Sequence, residues 1–167
     1  LVTMTWWDDL WLNESFAEWA AYHAAAEATR YTYSWTSFLI QRKGWAYRQA
    51  QLSSTHPIAA DMVDLEAVEV NFDGITYAQG ASSLRQLVAW VGEKEFLTGL
   101  KAYFDKRGIT WDRKTPIAAT CGSGMTACTV LAALKSLADD GNLPVAKVAE
   151  AIAKYGINAD KVNPLYA

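Results

Sequence analysis

The sequence predicts a mainly α-helical fold. Apolar residues recur at three- and four-residue spacing through several long segments, and glycine or proline punctuates their ends. One short apolar run, Pro116-Ile117-Ala118-Ala119-Thr120, has the character of a buried strand.

Taken in order, Asn13 is placed to cap a helix running to about Thr29, with Phe16, Ala17, Ala20, Ala21 and Ala24 as its apolar stripe. A second helix is expected from Ser34 to Gln51. Leu52 to Gly74 reads as a long connection containing Pro57 and an acidic run, Asp61, Asp64, Glu66, Glu69 and Asp73. Such a run is ordinarily a solvated face or loop, and the functional alternative is one wall of a substrate cleft. Ile75 to Val91 and Glu93 to Lys106 read as two helices joined at Gly92, a connection short enough to make them antiparallel neighbours.

Composition changes near residue 108. All eight tryptophans lie between Trp6 and Trp111, whereas from residue 112 onward the only aromatics are Tyr155 and Tyr166. Gly108 closes a helical pattern and a polar stretch, Trp111-Asp112-Arg113-Lys114-Thr115, follows it, so the chain divides into 1–107 and 108–167. The second part holds the short strand, a Gly-rich turn and helical spacing from Thr126 to Ala138, a strand-turn-helix element near 116–138. Pro144 to Tyr155 has helical spacing too, with proline in the first turn and Gly156 past the end.

With 167 residues, 51% of them hydrophobic, the chain suits one ordinary domain, or two folding units at most. A net charge of −3 without any basic block argues against a nucleic-acid partner, which needs clustered Lys and Arg to displace phosphate counterions. No apolar stretch approaches the roughly 18 residues of a membrane helix, so no membrane partner is expected. Cys121 and Cys128 are too few for a secreted disulfide framework, and reduced thiols in a cytoplasmic protein are the expectation. A first residue of Leu suits a fragment and a processed product alike.

Two motifs carry chemistry. Trp11-Leu12-Asn13-Glu14-Ser15-Phe16-Ala17-Glu18 is followed downstream by Thr76-Tyr77-Ala78-Gln79-Gly80-Ala81. Together they resemble the third zinc ligand and the catalytic tyrosine of the aminopeptidase N family of zinc aminopeptidases, the gluzincins. The family motif is WLNEGFA, with Ser15 here in place of its glycine. Leu1 to Asp9 resembles the segment after HExxHxWFGN, and similarity runs on through Thr55-His56-Pro57-Ile58 and Asn71-Phe72-Asp73-Gly74-Ile75 to Phe104. The resemblance implies the helical part of a thermolysin-like catalytic domain, a zinc cofactor and a peptide substrate that loses its N-terminal residue. A catalytic zinc takes three protein ligands and leaves one position for water, whose pKa falls to roughly 7. By resemblance Glu14 is a zinc ligand, and Tyr77 donates a hydrogen bond to the oxyanion of the tetrahedral intermediate. Gln79 stands where the family commonly has lysine. Residue type alone assigns none of this: a lone Glu on an alanine-rich helix is ordinarily solvated, and a lone Tyr beside an apolar helix ordinarily packs. Glu18, one turn after Glu14, is either a residue that orients the ligand or an exposed charge.

The two histidine ligands and the general base of HExxH are expected just before Leu1, and the glutamate that binds the substrate amine further upstream. His23 lies nine residues after Glu14 on the same expected helix, roughly 13 Å along its axis, too far for joint ligation. His56, before Pro57, reads as a turn residue. The isolated polypeptide is therefore expected to lack aminopeptidase activity, with self-association through the truncated face as one fate.

Thr120-Cys121-Gly122-Ser123-Gly124-Met125-Thr126-Ala127 resembles the active-site loop of the rhodanese sulfurtransferases. There a cysteine thiolate, here Cys121, accepts sulfane sulfur and backbone N–H groups stabilise the anion. The match is short, and a small buried cysteine is the ordinary alternative. A third reading is a noncatalytic helical fragment or fusion that acts as a binding module through its aromatic surface.

Overall fold

The computed structural model describes residues 4–108. The strand-turn-helix near 116–138, the helix from Pro144 and the Cys121 loop lie outside them. Among the described residues there is no strand, and the mainly helical expectation holds. A 3₁₀ turn, Trp7–Asp9, leads into α1, Leu10–Ala28. The segment from Ser34 to Gln49 is one continuous helical run: α2, Ser34–Ser37, a first π segment, Phe38–Lys43, and α3, Gly44–Gln49. The expected connection from Leu52 to Gly74 is interrupted by the short α4, Leu65–Val70. A second π segment, Ile75–Gln79, continues into α5, Gly80–Val91, and α6 is Glu93–Lys106.

Helix α1 starts earlier than Asn13. The 3₁₀ turn passes directly into it at Leu10, whose side chain is buried with Met62 and Val68, so tertiary burial starts the helix and Asn13 sits inside its first turn. At the other end Thr29 is extended; its hydroxyl donates to Ala25 O at 2.6 Å and accepts from Tyr31 N at 2.9 Å. The buried stripe also differs from the alanine-led one. Ser15, Glu18, Trp19, Tyr22 and Ala25 are buried, and of the expected set Ala21 alone is fully so. α1 contacts α2 on one side and the second π segment and α5 on another. Its sequence is apolar nearly all round, and the large rings of Trp19 and Tyr22, not the alanines, choose what faces the core.

Trp19, Tyr22, Phe38, Ala46, Ala78 and Ala81 form the main core, with Phe16, Trp35, Leu84, Val88 and Phe96 packed against it. Each large apolar side chain so buried contributes about 1.5–3 kcal/mol. The acidic connection is only partly a solvated loop. Asp64 caps α4 by accepting from Ala67 N at 2.8 Å, and Asp73 is buried. Gly92 joins α5 to α6 at φ +96°, a left-handed conformation that glycine takes without strain. α6 packs against α5, and its Phe96 ring meets Trp19 edge-on at 5.1 Å.

Candidate functional site

The site forms where α1 crosses the second π segment. At this crossing Gly80 lets the two backbones approach, since a Cβ there would lie 1.9 Å from Ser15 Oγ. Ser15, wholly buried, donates its hydroxyl to Thr76 O at 2.6 Å, satisfying a carbonyl on the π turn itself. On the other flank Gly74 sits against α3, where a Cβ would be 3.0 Å from the backbone of Ala46 and from the Trp45 ring. Asp73 starts the turn: one carboxylate oxygen accepts from Ile75 N at 2.9 Å and Thr76 N at 3.1 Å, and the other lies 3.2 Å from His56 Nε2. The insertion that makes a π turn displaces a side chain from the α-helical register, and here the displaced turn carries Tyr77.

Tyr77 is 5% exposed, with the Trp45 ring centroid 6.3 Å away and that of Phe72 6.4 Å away. Its side chain acts as a hydrogen-bonding neighbour on the carboxyl of Glu14, which is half-buried on α1. Burial pushes the Glu14 carboxyl above its ordinary pKa; the Tyr77 hydrogen bond opposes that shift, and the charge of Glu18 adds to it. The two residues from separate motifs, 63 positions apart (77 − 14), are thus brought close enough for Tyr77 to influence the Glu14 carboxyl.

Glu18 is not an exposed charge. It is 1% exposed and bonded by Arg42 through both carboxylate oxygens, from Nε to Oε1 and from Nη2 to Oε2 at 3.2 Å. The Arg42 guanidinium also lies over the Trp45 ring, 4.7 Å from its centroid, and 6.0 Å from that of Tyr77. Arg42 escaped the sequence reading because nothing local ties it to Glu18, 24 residues earlier. Asp73 was more legible: an Asp just before Gly74 and an apolar helical run is a capping signal. The histidines stand apart from the pair: His56 is fastened to Asp73 and lies 2.7 Å from Pro57 O, and His23 stacks on Trp19 and faces Glu93 at 3.5 Å. Gln79 is exposed, and Cys121 lies outside the described residues.

Among the described residues no group of three or more His, Cys, Asp or Glu side chains is placed to hold a metal ion. Glu14 nonetheless suits one as a single oxygen donor. It is a partly desolvated carboxylate beside a second one, and a divalent cation relieves the cost that raises its pKa. Among the same residues no helix is long and apolar enough to cross a membrane.

The profile of the peptidase family M1 domain matches residues 1–115. The chain is 63% identical over 111 residues to an aminopeptidase N of Streptomyces lividans, covering 65% of this chain and 13% of that protein. It is 42% identical over 106 residues to a leucyl aminopeptidase of Saccharolobus solfataricus, covering 64% of this chain and 14% of that one. With an alanine/arginine aminopeptidase of Saccharomyces cerevisiae it shares 32% identity over 138 residues, 78% of this chain and 16% of the relative. The chain therefore aligns with a small part of each relative's length.

Proposed function

The chain belongs to peptidase family M1, and from that membership we propose that residues 1–107 are the part of a zinc metallo-aminopeptidase catalytic domain that supplies one metal ligand and the oxyanion donor. What supports this reading is the meeting of Glu14 and Tyr77 across the α1 crossing, with Tyr77 acting on the Glu14 carboxyl, in a chain similar to three proteins named as aminopeptidases. Glu14 would hold zinc through its carboxylate, together with two histidines of the family's HExxH motif. Zinc, when bound, acts as a Lewis acid toward water and the scissile carbonyl. Glu18, held by Arg42, keeps the neighbouring turn of α1 in place behind the ligand.

Tyr77 has the remaining role. A hydroxyl already within hydrogen-bonding reach of Glu14 is close to any group bound beside that carboxylate, and as a donor it stabilises charge developing on the carbonyl oxygen of the substrate. Its buried ring, flanked by Trp45 and Phe72, needs little reorganisation to do so. The substrate is the N-terminal residue of a peptide. Residues 108–167 form a separate segment, and a cytoplasmic location, resting on the two-cysteine composition, belongs to the same proposal.

A chimera tests it. The 111-residue stretch of this chain replaces its counterpart in the Streptomyces lividans protein, and zinc content and release of N-terminal residues from aminoacyl substrates are measured. Tyr77→Phe is expected to keep the zinc and lose about 10²–10³ in kcat, whereas Glu14→Ala is expected to lose the zinc. A zinc content indifferent to Glu14 would overturn the reading.

A further inference from the structure

Arg42 has no part in the assignment above except as the partner of Glu18, yet its surroundings are those of a working residue. It sits on the first π segment, Tyr77 on the second, and the two segments touch. A fork on Glu18 fixes the guanidinium plane, and a planar cation so fixed stacks on Trp45 at 4.7 Å. Trp45 and Arg42 are then both neighbours of the Tyr77 ring, at 6.3 and 6.0 Å. A tyrosine hydroxyl lies on the ring axis, so its position depends on how the ring is held.

We propose that Arg42, clamped by Glu18 and stacked on Trp45, is a positioning residue that sets the Tyr77 ring so that its hydroxyl points at Glu14. This rests on the Glu14–Tyr77 reading of the site. Arg42 touches neither substrate nor metal; it acts through the tyrosine. A lysine would keep the charge and lose both the fork and the stacking plane, so the conservative substitution separates charge from geometry.

The test uses the metal-free 167-residue chain with ¹³Cζ-labelled tyrosine in an equal mixture of light and heavy water, where a slowly exchanging hydroxyl splits its Cζ signal in two. Tyr77 is assigned by its loss in Tyr77→Phe. The wild type is expected to show the split signal. In Arg42→Lys the Tyr77 hydroxyl is expected to exchange about tenfold faster or more, the change that accompanies loss of one hydrogen bond, and the splitting collapses. The double variant Glu18→Gln/Arg42→Gln, which removes both charges of the pair together, is expected to do the same should Arg42→Lys fail to fold. Tyr22 is the internal control, because it packs on Phe38 at the start of the same π segment, with ring centroids 5.0 Å apart. Its signal is expected to stay put, whereas general loosening would move both. An unchanged Tyr77 splitting in a folded variant, Tyr22 shifting as much as Tyr77, or a Tyr77 hydroxyl exchanging freely in the wild type each overturns the proposal. A freely exchanging wild-type hydroxyl would also remove the Glu14–Tyr77 contact that supports the site reading. The other two outcomes leave the zinc assignment standing because no metal or substrate enters, and failure of the chimera leaves this result unaffected.

Discussion

The pair Glu14–Tyr77 sets the electrostatics of the site at the scale of single residues. Because burial and Glu18 hold the folded-state pKa of Glu14 above its ordinary value, the folded chain binds that proton more tightly than the unfolded one. Ionised Glu14 therefore costs stability above its folded pKa, and the cost disappears as pH falls to the ordinary carboxylate range. Glu14→Gln, which can still accept from Tyr77, is expected to raise the Tm of the metal-free chain at neutral pH, with the gain shrinking in acid. Thermal melts across pH check it, and a constant difference at every pH would count against it. Arg42 and Glu18 follow another rule. Their side chains are 11% and 2% exposed, and removing one partner of a buried pair costs about 3–5 kcal/mol whereas replacing both with apolar residues is near neutral. Denaturant melts of Arg42→Met and of Glu18→Met/Arg42→Met should show that contrast. Glu14 and Tyr77 were legible because each sits in a motif; Arg42 was not, because a contact between distant helices leaves no mark on local spacing.

Among the elements, the second π segment decides the most. Its place between Gly74 and Gly80, with Ser15 bonded to Thr76 O, is a fit of backbones at two close approaches. Gly80→Ala pushes a methyl into Ser15 Oγ and Cβ, at 1.9 and 2.8 Å, and is expected to cost roughly 1–3 kcal/mol through overpacking. Ser15→Gly removes both atoms, so the double variant should recover most of the loss beyond what the missing hydrogen bond takes, and a double-mutant cycle measures the coupling. If the two substitutions simply add, the crossing is not limited by this contact. Helical spacing foretold the runs from Ser34 and from Ile75 and the break at Gly92, since these depend on local pattern. It did not reveal the π turns within them. The insertion of one residue into a helical ladder is decided by what the helix packs against, and the pattern of apolar residues on either side reads much the same with or without it.

For the whole molecule, the described residues leave large apolar side chains uncovered, among them Trp90 at 86% and Val63 at 81% exposed. Apolar surface of that kind favours association in water, so the purified chain is expected to sediment with a concentration-dependent mean mass, and Trp90→Gln to reduce that dependence. A single monomeric species at all concentrations would refute it. The sequence by itself determined that this protein is mainly helical, where most of its helices break, its membership of the M1 family, and which glutamate and tyrosine to examine, because periodicity, glycine placement and short motifs are written along the chain. Only the tertiary structure decided which face of α1 is buried, that Glu18 is a buried ion rather than a solvated one, that Asp73 caps the turn that carries Tyr77, and that Arg42 lies beside it. Those outcomes depend on side chains from separate helices meeting in space, where burial and charge are settled by neighbours far away in sequence.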